Sequence, residues 1–219
     1  MRLGILGGTF NPIHYGHLRP AEEIRERLVL DKVLFIPSAR PPHKGSVLVK
    51  PEHRLRMVEI AIKGNPHFEV SSVELERKEK SYTVKTLEEL LEEYGKEMDF
   101  FFILGIDSFL ELPTWMEPER LFTLTNFVIT SRPPLEFYAL KESPYLKDIS
   151  KSPLREIDEG KILSHSIKLG TGKRVYMERV SMLEISSTEI RRYINVRKSI
   201  KYLLPEEVEL YIIAENLYK

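Results

Sequence analysis

Leu3-Gly4-Ile5-Leu6 runs directly into Gly7-Gly8-Thr9-Phe10-Asn11-Pro12-Ile13-His14-Tyr15-Gly16-His17. The apolar stretch reads as a strand. Two glycines after it let the backbone turn tightly and approach an anion with no Cβ in the way, and Asn-Pro is a further turn signal ahead of a helix that begins near Gly16. A helix start offers unpaired N–H groups to phosphates. His14 and His17 lie three positions apart across that junction. One imidazole hangs from the loop and the other from the first helical turn, and the pair can donate hydrogen bonds to a triphosphate.

Outward from this junction, short apolar runs alternate with helical patterns. A helix through Ala21 to Leu28 is followed by Val33-Leu34-Phe35-Ile36, ended by Pro37, which is βαβ grammar. A helix over Pro51 to Lys63 carries Leu55, Val58 and Ile62 on one face. A strand near Phe68 to Val73 precedes a helix over Thr83 to Tyr94 with Val84, Leu87, Leu90 and Leu91 at helical spacing. Phe100-Phe101-Phe102-Ile103-Leu104 is the most apolar strand and is expected at the centre of the sheet. Phe127-Val128-Ile129 and Arg174 to Val180 supply further strands, and helices near Ser187 to Asn195 and Glu206 to Leu217 follow. The expected fold class is α/β: a Rossmann-like, doubly wound, mostly parallel sheet with a C-terminal helical portion at about 187–219. Its ligands should lie at the carboxyl ends of the strands. Residues 135–173 are Lys-, Glu- and Ser-rich with scattered Pro and Gly, and read as an irregular or weakly helical excursion.

At 219 residues, 42% hydrophobic and 30% charged, residues 1–219 are expected to form a single domain around one sizeable core. Lys+Arg and Asp+Glu are equal at 33 each, so no global field draws the chain to nucleic acid or an anionic membrane, and any anion site must be local. The absence of cysteine excludes disulfides, thiolate metal sites and thiol catalysis. No apolar run is long enough to cross a bilayer and no signal peptide is evident, so a soluble cytoplasmic protein is expected. The oligomeric state is not legible, and a homo-oligomer is compatible with the composition.

Three more segments bear chemistry. Pro37-Ser38-Ala39-Arg40-Pro41-Pro42-His43-Lys44 is a proline-stiffened loop ending in a cation, either a solvated loop lysine or a point charge for phosphates. Ile185-Ser186-Ser187-Thr188-Glu189-Ile190-Arg191 opens a helix. Ser186 with Glu189 fits a capping box, while Ser187 and Thr188 would present hydroxyls and N–H groups at a positive helix end with Arg191 one turn on. Ser81-Tyr82-Thr83 also precedes and opens a helix, whose backbone amides could receive a carboxylate. Leu104-Gly105-Ile106-Asp107-Ser108 follows the expected central strand. Asp107 could accept from a ribose hydroxyl, help place a metal, or cap the next helix. Trp115, in Leu112-Pro113-Thr114-Trp115, is a core residue or a stacking platform for a cationic ring.

His14-Tyr15-Gly16-His17 after a glycine-rich strand end resembles the HxGH nucleotidyltransferase superfamily. Gly8-Thr9-Phe10-Asn11-Pro12 resembles the form found in nucleotide adenylyltransferases, many of which have Asp where Asn11 stands. Asn keeps the turn-forming carbonyl and drops a negative charge near the phosphates. The Pro41-Pro42-His43-Lys44 loop, the Ser81-Tyr82-Thr83, Leu104–Ser108 and Leu112–Trp115 segments and Ile185–Arg191 are similar to those of bacterial nicotinate-nucleotide adenylyltransferases. The likeness runs from Met1 to about Arg132 and resumes from Leu183 to Tyr211.

The resemblance implies transfer of AMP from ATP to nicotinate mononucleotide, with deamido-NAD and pyrophosphate as products and Mg²⁺ carried mainly on the ATP phosphates. Catalytic roles would fall to His14, His17, Lys44 and Arg191, all as cationic donors around a phosphate nucleophile that needs no general base. Gly7, Gly8, Thr9, Phe10, Ser186, Ser187 and Thr188 would bind ATP. Tyr82, Thr83, Asp107, Trp115 and Arg132 would hold the pyridine nucleotide, and no protein metal ligand is expected. Two alternatives stay open: a same-fold enzyme acting on nicotinamide mononucleotide or another phosphate acceptor, and a non-catalytic nucleotide-binding module.

Overall fold

The apolar runs become strands β1 (Arg2–Gly8), β2 (Lys32–Pro37), β3 (Phe68–Val70), β4 (Asp99–Gly105), β5 (Asn126–Thr130), β6 (Ser164–Lys168) and β7 (Arg174–Glu178). In the computed structural model, which describes residues 1–39, 48–77, 81–95, 97–132, 134–147 and 149–219, they form one sheet in the order β3-β2-β1-β4-β5-β7-β6. Neighbours are parallel throughout except β6 with β7. β4 stands in the middle, as its unbroken apolar run predicts. The chain leaves β1 toward β2 and β3, then returns to place β4 on the other side of β1. This reversal opens a crevice at the carboxyl ends of β1 and β4, where doubly wound sheets take their ligands.

Helices α1 (Tyr15–Arg27), α2 (Pro51–Ile62), α3 (Thr83–Tyr94), α4 (Ile106–Leu110), α5 (Pro118–Leu124), α6 (Lys151–Asp158), α7 (Ser187–Asn195) and α8 (Glu206–Ala214) cover the two faces. Successive strand residues point to opposite sides. Leu3, Ile5, Phe100, Phe102, Phe127 and Ile129 accordingly meet the apolar stripes of α3, α4, α5 and α6 in one core. Val33, Phe35, Phe101, Ile103 and Val128 meet those of α1, α2, α7 and α8 in the other.

The structure departs from the sequence reading in four places. Residues 135–173 are built in: a 3-10 helix over Phe137–Glu142, α6 and edge strand β6. Their Phe137, Leu140, Leu146, Leu154 and Ile157 are buried in the first core. The Asp158 carboxylate secures this segment by accepting from the backbone N–H groups of Phe137 (2.8 Å) and Tyr138 (2.9 Å). Second, α4 and α5 occupy a stretch in which the sequence reading placed no defined helix. Third, β3 stops at Val70, β7 at Glu178 and α8 at Ala214, short of the expected Val73, Val180 and Leu217. Fourth, the buried face of α2 is Arg54, Met57, Val58 and Ile62, rotated so that a charged residue stands where Leu55 was expected.

Candidate active site

The loop that closes β1 is shaped by its own aromatic residue. Phe10 has φ +46°, in the left-handed region, and its ring is 2% exposed. A Cβ on Gly8 would lie 2.9 Å from two carbons of that ring, so glycine here is required by Phe10. Gly7 differs: among the described residues a Cβ there would meet only Phe102, at an ordinary 3.9 Å, and the residue is exposed at the strand end. Packing against the described residues does not demand a glycine at position 7, and its lack of a Cβ leaves the backbone open to close approach.

Helix α1 starts at Tyr15, with His14 as its extended N-cap residue. The imidazoles of His14 and His17 stand 3.8 Å apart between centroids, tilted by 34°, and His17 also packs edge-on against Phe10 at 5.2 Å. The backbone N–H of His14 donates to Nδ1 of His17 at 3.3 Å. An Nδ1 that accepts leaves the neutral ring's proton on Nε2, which fixes the tautomer. Gly16 permits this packing: a Cβ there would come 2.9 Å from His14 Nδ1 and 3.3 Å from the carbonyl oxygen of Ile185. The glycine of the tetrad therefore seats the histidine before it and the segment leading into α7.

His14 is 5% exposed, and its Nδ1 has no hydrogen-bond partner among the described residues. Burial, with the nearby Arg132 charge adding to it, lowers its pKa from 6.5 to about 4. The sequence reading made His14 a cation. In the substrate-free protein it is a neutral imidazole, because a charge there would be both desolvated and repelled.

Helix α7 docks onto the same loop. Ser186 caps it by accepting from the Glu189 N–H at 3.1 Å. Glu189 pairs with Arg192 (2.9 Å). The Ser187 hydroxyl donates to the Pro12 carbonyl at 2.8 Å, while Arg191 donates from Nη1 to the Asn11 carbonyl (2.8 Å) and from Nη2 to Thr188 Oγ1 (3.2 Å). A guanidinium has five N–H donors. Arg191 is thus held in place by two of them.

On the opposite face of the sheet, Tyr82 is the N-cap residue of α3 with no side-chain cap hydrogen bond, so the helix opening at Thr83 presents its amides. Ser81 Oγ accepts from Ala39 N–H at 3.2 Å, joining this segment to the end of β2. Asp107 follows β4 and pairs with Arg132 beyond β5 at 3.0 Å, both side chains substantially exposed. The other carboxylate oxygen of Asp107 is buried without a hydrogen-bond partner among the described residues. Trp115 is half-buried and meets Phe102 edge-to-face at 6.2 Å and 84°. Lys44 lies outside the described residues.

Two functional candidates escaped sequence reasoning. Arg54, wholly buried, donates to the carbonyls of Thr9, Ser38, Ala39 and Val49. Tyr218, also buried, donates its hydroxyl to Asn11 Oδ1 at 2.8 Å, and that oxygen accepts from Val49 N–H as well (3.4 Å). Asn11 thus has its side chain turned into the protein. Neither residue carries a local signal, since apart from Val49, five positions before Arg54, their partners lie far away in sequence.

A cytidylyltransferase-like family model matches residues 5–193. Curated relatives include a probable nicotinate-nucleotide adenylyltransferase of Desulfatibacillum aliphaticivorans, 42% identical over the whole of both chains. One of Syntrophotalea carbinolica with the same description is 44% identical, covering all of this chain and 98% of the relative. Among solved structures, a Plasmodium falciparum nicotinic acid mononucleotide adenylyltransferase complexed with NaAD superposes with a TM-score of 0.73. It is 22% identical and covers 99% of this chain and 97% of the other, a likeness of fold.

Proposed function

The chain belongs to the cytidylyltransferase-like family, in its nicotinate-nucleotide adenylyltransferase branch, and from that footing we propose how its residues carry the reaction. The activity is transfer of AMP from ATP to nicotinate mononucleotide, in NAD biosynthesis, with residues 1–219 acting as one transferase unit. An oxygen of the acceptor's 5′-phosphate attacks the α-phosphorus of ATP. A new P–O bond forms as the bond to the bridging oxygen of the β-phosphate breaks, and pyrophosphate leaves with that electron pair. The phosphate is already a nucleophile at neutral pH, so the protein's task is to hold two anions in line and to stabilise charge on the leaving group.

The observation that carries this reading is the clamp at the end of β1: two imidazoles 3.8 Å apart, with Arg191 fixed against Asn11 beside them. His17 donates from Nε2. His14 starts neutral, chiefly through burial and secondarily through the Arg132 charge, and gains proton affinity when the negative charge of a triphosphate lies against it. Gly7, Gly8, Thr9 and Phe10 form the ATP loop. Ser186 caps α7, Ser187 holds it against that loop, and Thr188 steadies Arg191. Lys44 is assigned to the phosphates on sequence similarity. Among the described residues no group of three or more His, Cys, Asp or Glu side chains is placed to hold a metal ion. The donor set suits a cation brought on the phosphates, and Mg²⁺ when bound supplies charge neutralisation there.

For the acceptor, the α3 amides at Tyr82 and Thr83 receive the nicotinate carboxylate, Trp115 stacks on the pyridinium, and Asp107 accepts from a ribose hydroxyl. The Asp107–Arg132 pair is exposed and so worth only about 0–1 kcal/mol, which lets an incoming phosphate recruit Arg132 at small cost. The test is pyrophosphate release from ATP with Mg²⁺ and, in parallel, nicotinate mononucleotide, nicotinamide mononucleotide or phosphopantetheine. Preference for the nicotinate form is expected. Equal rates with the nicotinamide form would overturn the carboxylate assignment at Tyr82 and Thr83.

A further inference from the structure

Arg54 is 0% exposed, yet no salt bridge to a carboxylate is made by it among the described residues. A buried charge normally requires an ionic partner. Here the guanidinium is satisfied by main-chain oxygens: Nη1 donates to Thr9 (2.8 Å) and Ser38 (2.7 Å), Nη2 to Ala39 (3.2 Å) and Nε to Val49 (3.3 Å). These oxygens belong to separate stretches of chain, namely the loop after β1, the residues after β2 and the residue two positions before α2. Desolvation pulls the Arg54 pKa below its ordinary value, but an arginine keeps its proton even so. A carboxylate at this position would have neutralised the charge. The carbonyl dipoles solvate it without neutralising it, and the more distant Glu52 and Glu74 carboxylates offset only part of its field beneath the loop. Val49 also donates to Asn11 Oδ1, so the same residue that receives Arg54 supports the next part of that loop.

We infer that Arg54 is a positioning residue for the triphosphate subsite, fixing Thr9 from below and supplying a buried positive charge under the loop that receives ATP. The inference rests on the assignment of residues 7–17 to ATP. Only an arginine has a planar fork able to address several carbonyls at once, and the point charge of lysine retains the field without that geometry.

The experiment compares wild type with Arg54→Met and Arg54→Lys, varying ATP and nicotinate mononucleotide separately. Equilibrium binding of a non-hydrolysable ATP analogue and the melting temperature are measured alongside. Losing hydrogen bonds from a charged group predicts that Arg54→Met raises the ATP KM and the analogue Kd by about tenfold or more. The acceptor KM should stay within about twofold, with Arg54→Lys falling between Met and wild type. Equal rises in both KM values, or a lower melting temperature with unchanged ATP KM and analogue Kd, would reduce Arg54 to a fold-holding role and overturn the inference. Should Arg54→Met fail to fold, Arg54→Lys decides alone: a rise confined to ATP supports the inference, and none overturns it. A wild type that binds the analogue but transfers nothing to nicotinate mononucleotide would defeat the proposed acceptor, while the analogue affinities would still judge Arg54.

Discussion

On the face of the sheet that carries α1, α2, α7 and α8, the loop after β1 is held from several directions. Ser187 and Arg191 grip the Pro12 and Asn11 carbonyls, Tyr218 takes the Asn11 side chain and Arg54 takes the Thr9 carbonyl. On the face that carries α3 to α6, the corresponding groups are lightly held. Tyr82 makes no side-chain cap, Trp115 meets one ring by its edge, and Asp107 shares an exposed ion pair with Arg132. The difference is one of preorganisation. A triphosphate transition state rewards donors that need no rearrangement, whereas a flat ring and a ribose can be met by side chains that move into place.

If the tightly held side does the chemistry, the largest loss follows from His17→Ala: pyrophosphate release should fall by about 10²-fold or more. An unchanged turnover would remove His17 from catalysis and erase the contrast. Comparable in size is the effect of pH on His14. Its folded pKa of about 4 lies below the unfolded 6.5, so the unfolded chain binds the extra proton between these values. The stability contributed by the neutral ring is complete above pH 6.5 and is lost as pH falls toward 4, by roughly 3 kcal/mol. Urea unfolding of wild type against His14→Asn should show this extra slope in the wild type alone, and parallel curves would mean His14 is not held neutral.

Smaller effects test the lightly held side and the latch. Trp115→Ala should raise KM for the pyridine nucleotide by about tenfold, the equivalent of a cation–π contact of 1–2 kcal/mol, with the ATP KM much less changed. Equal shifts for both substrates would make Trp115 a core residue. Tyr218→Phe deletes one donor to Asn11 Oδ1, which still accepts from Val49. The cost is about 1 kcal/mol, read in urea unfolding, with a modest rise in ATP KM. A larger rise for the acceptor would place Tyr218 with the wrong subsite.

The parts of this arrangement that were legible in the sequence are those written locally. β1, β2, β4 and β5 announce themselves as apolar runs, and α3 and α7 begin and end where their periodicity and Ser186 cap indicate. Strand β6 was invisible because Ser164-His165-Ser166-Ile167-Lys168 has one strongly apolar residue, as suits a short edge strand that only partly faces the core. Helix α6 hid behind Pro153 near its start and buries only Leu154 and Ile157. In the candidate site, the histidine pair and α7 were readable from spacing, but the neutrality of His14 was not. It depends on burial and on Arg132, which belongs to another loop. Arg54 reads in sequence as one more charge among His53 and Arg56, and only the fold shows that it points inward.

The bond from Tyr218 to Asn11 spans 207 positions, Arg191 to Asn11 spans 180 and Ser187 to Pro12 spans 175. Contacts so distant in sequence form late, because the entropy of closing the intervening chain must first be overcome. During synthesis the first βαβ unit can assemble early from neighbouring residues. The phosphate loop inside it, encoded among the first seventeen residues, waits for residue 218 before its last support arrives. A nascent chain therefore carries the motif before the loop has all its supports, and a product interrupted before Ser187 would lack the Ser187, Arg191 and Tyr218 contacts together.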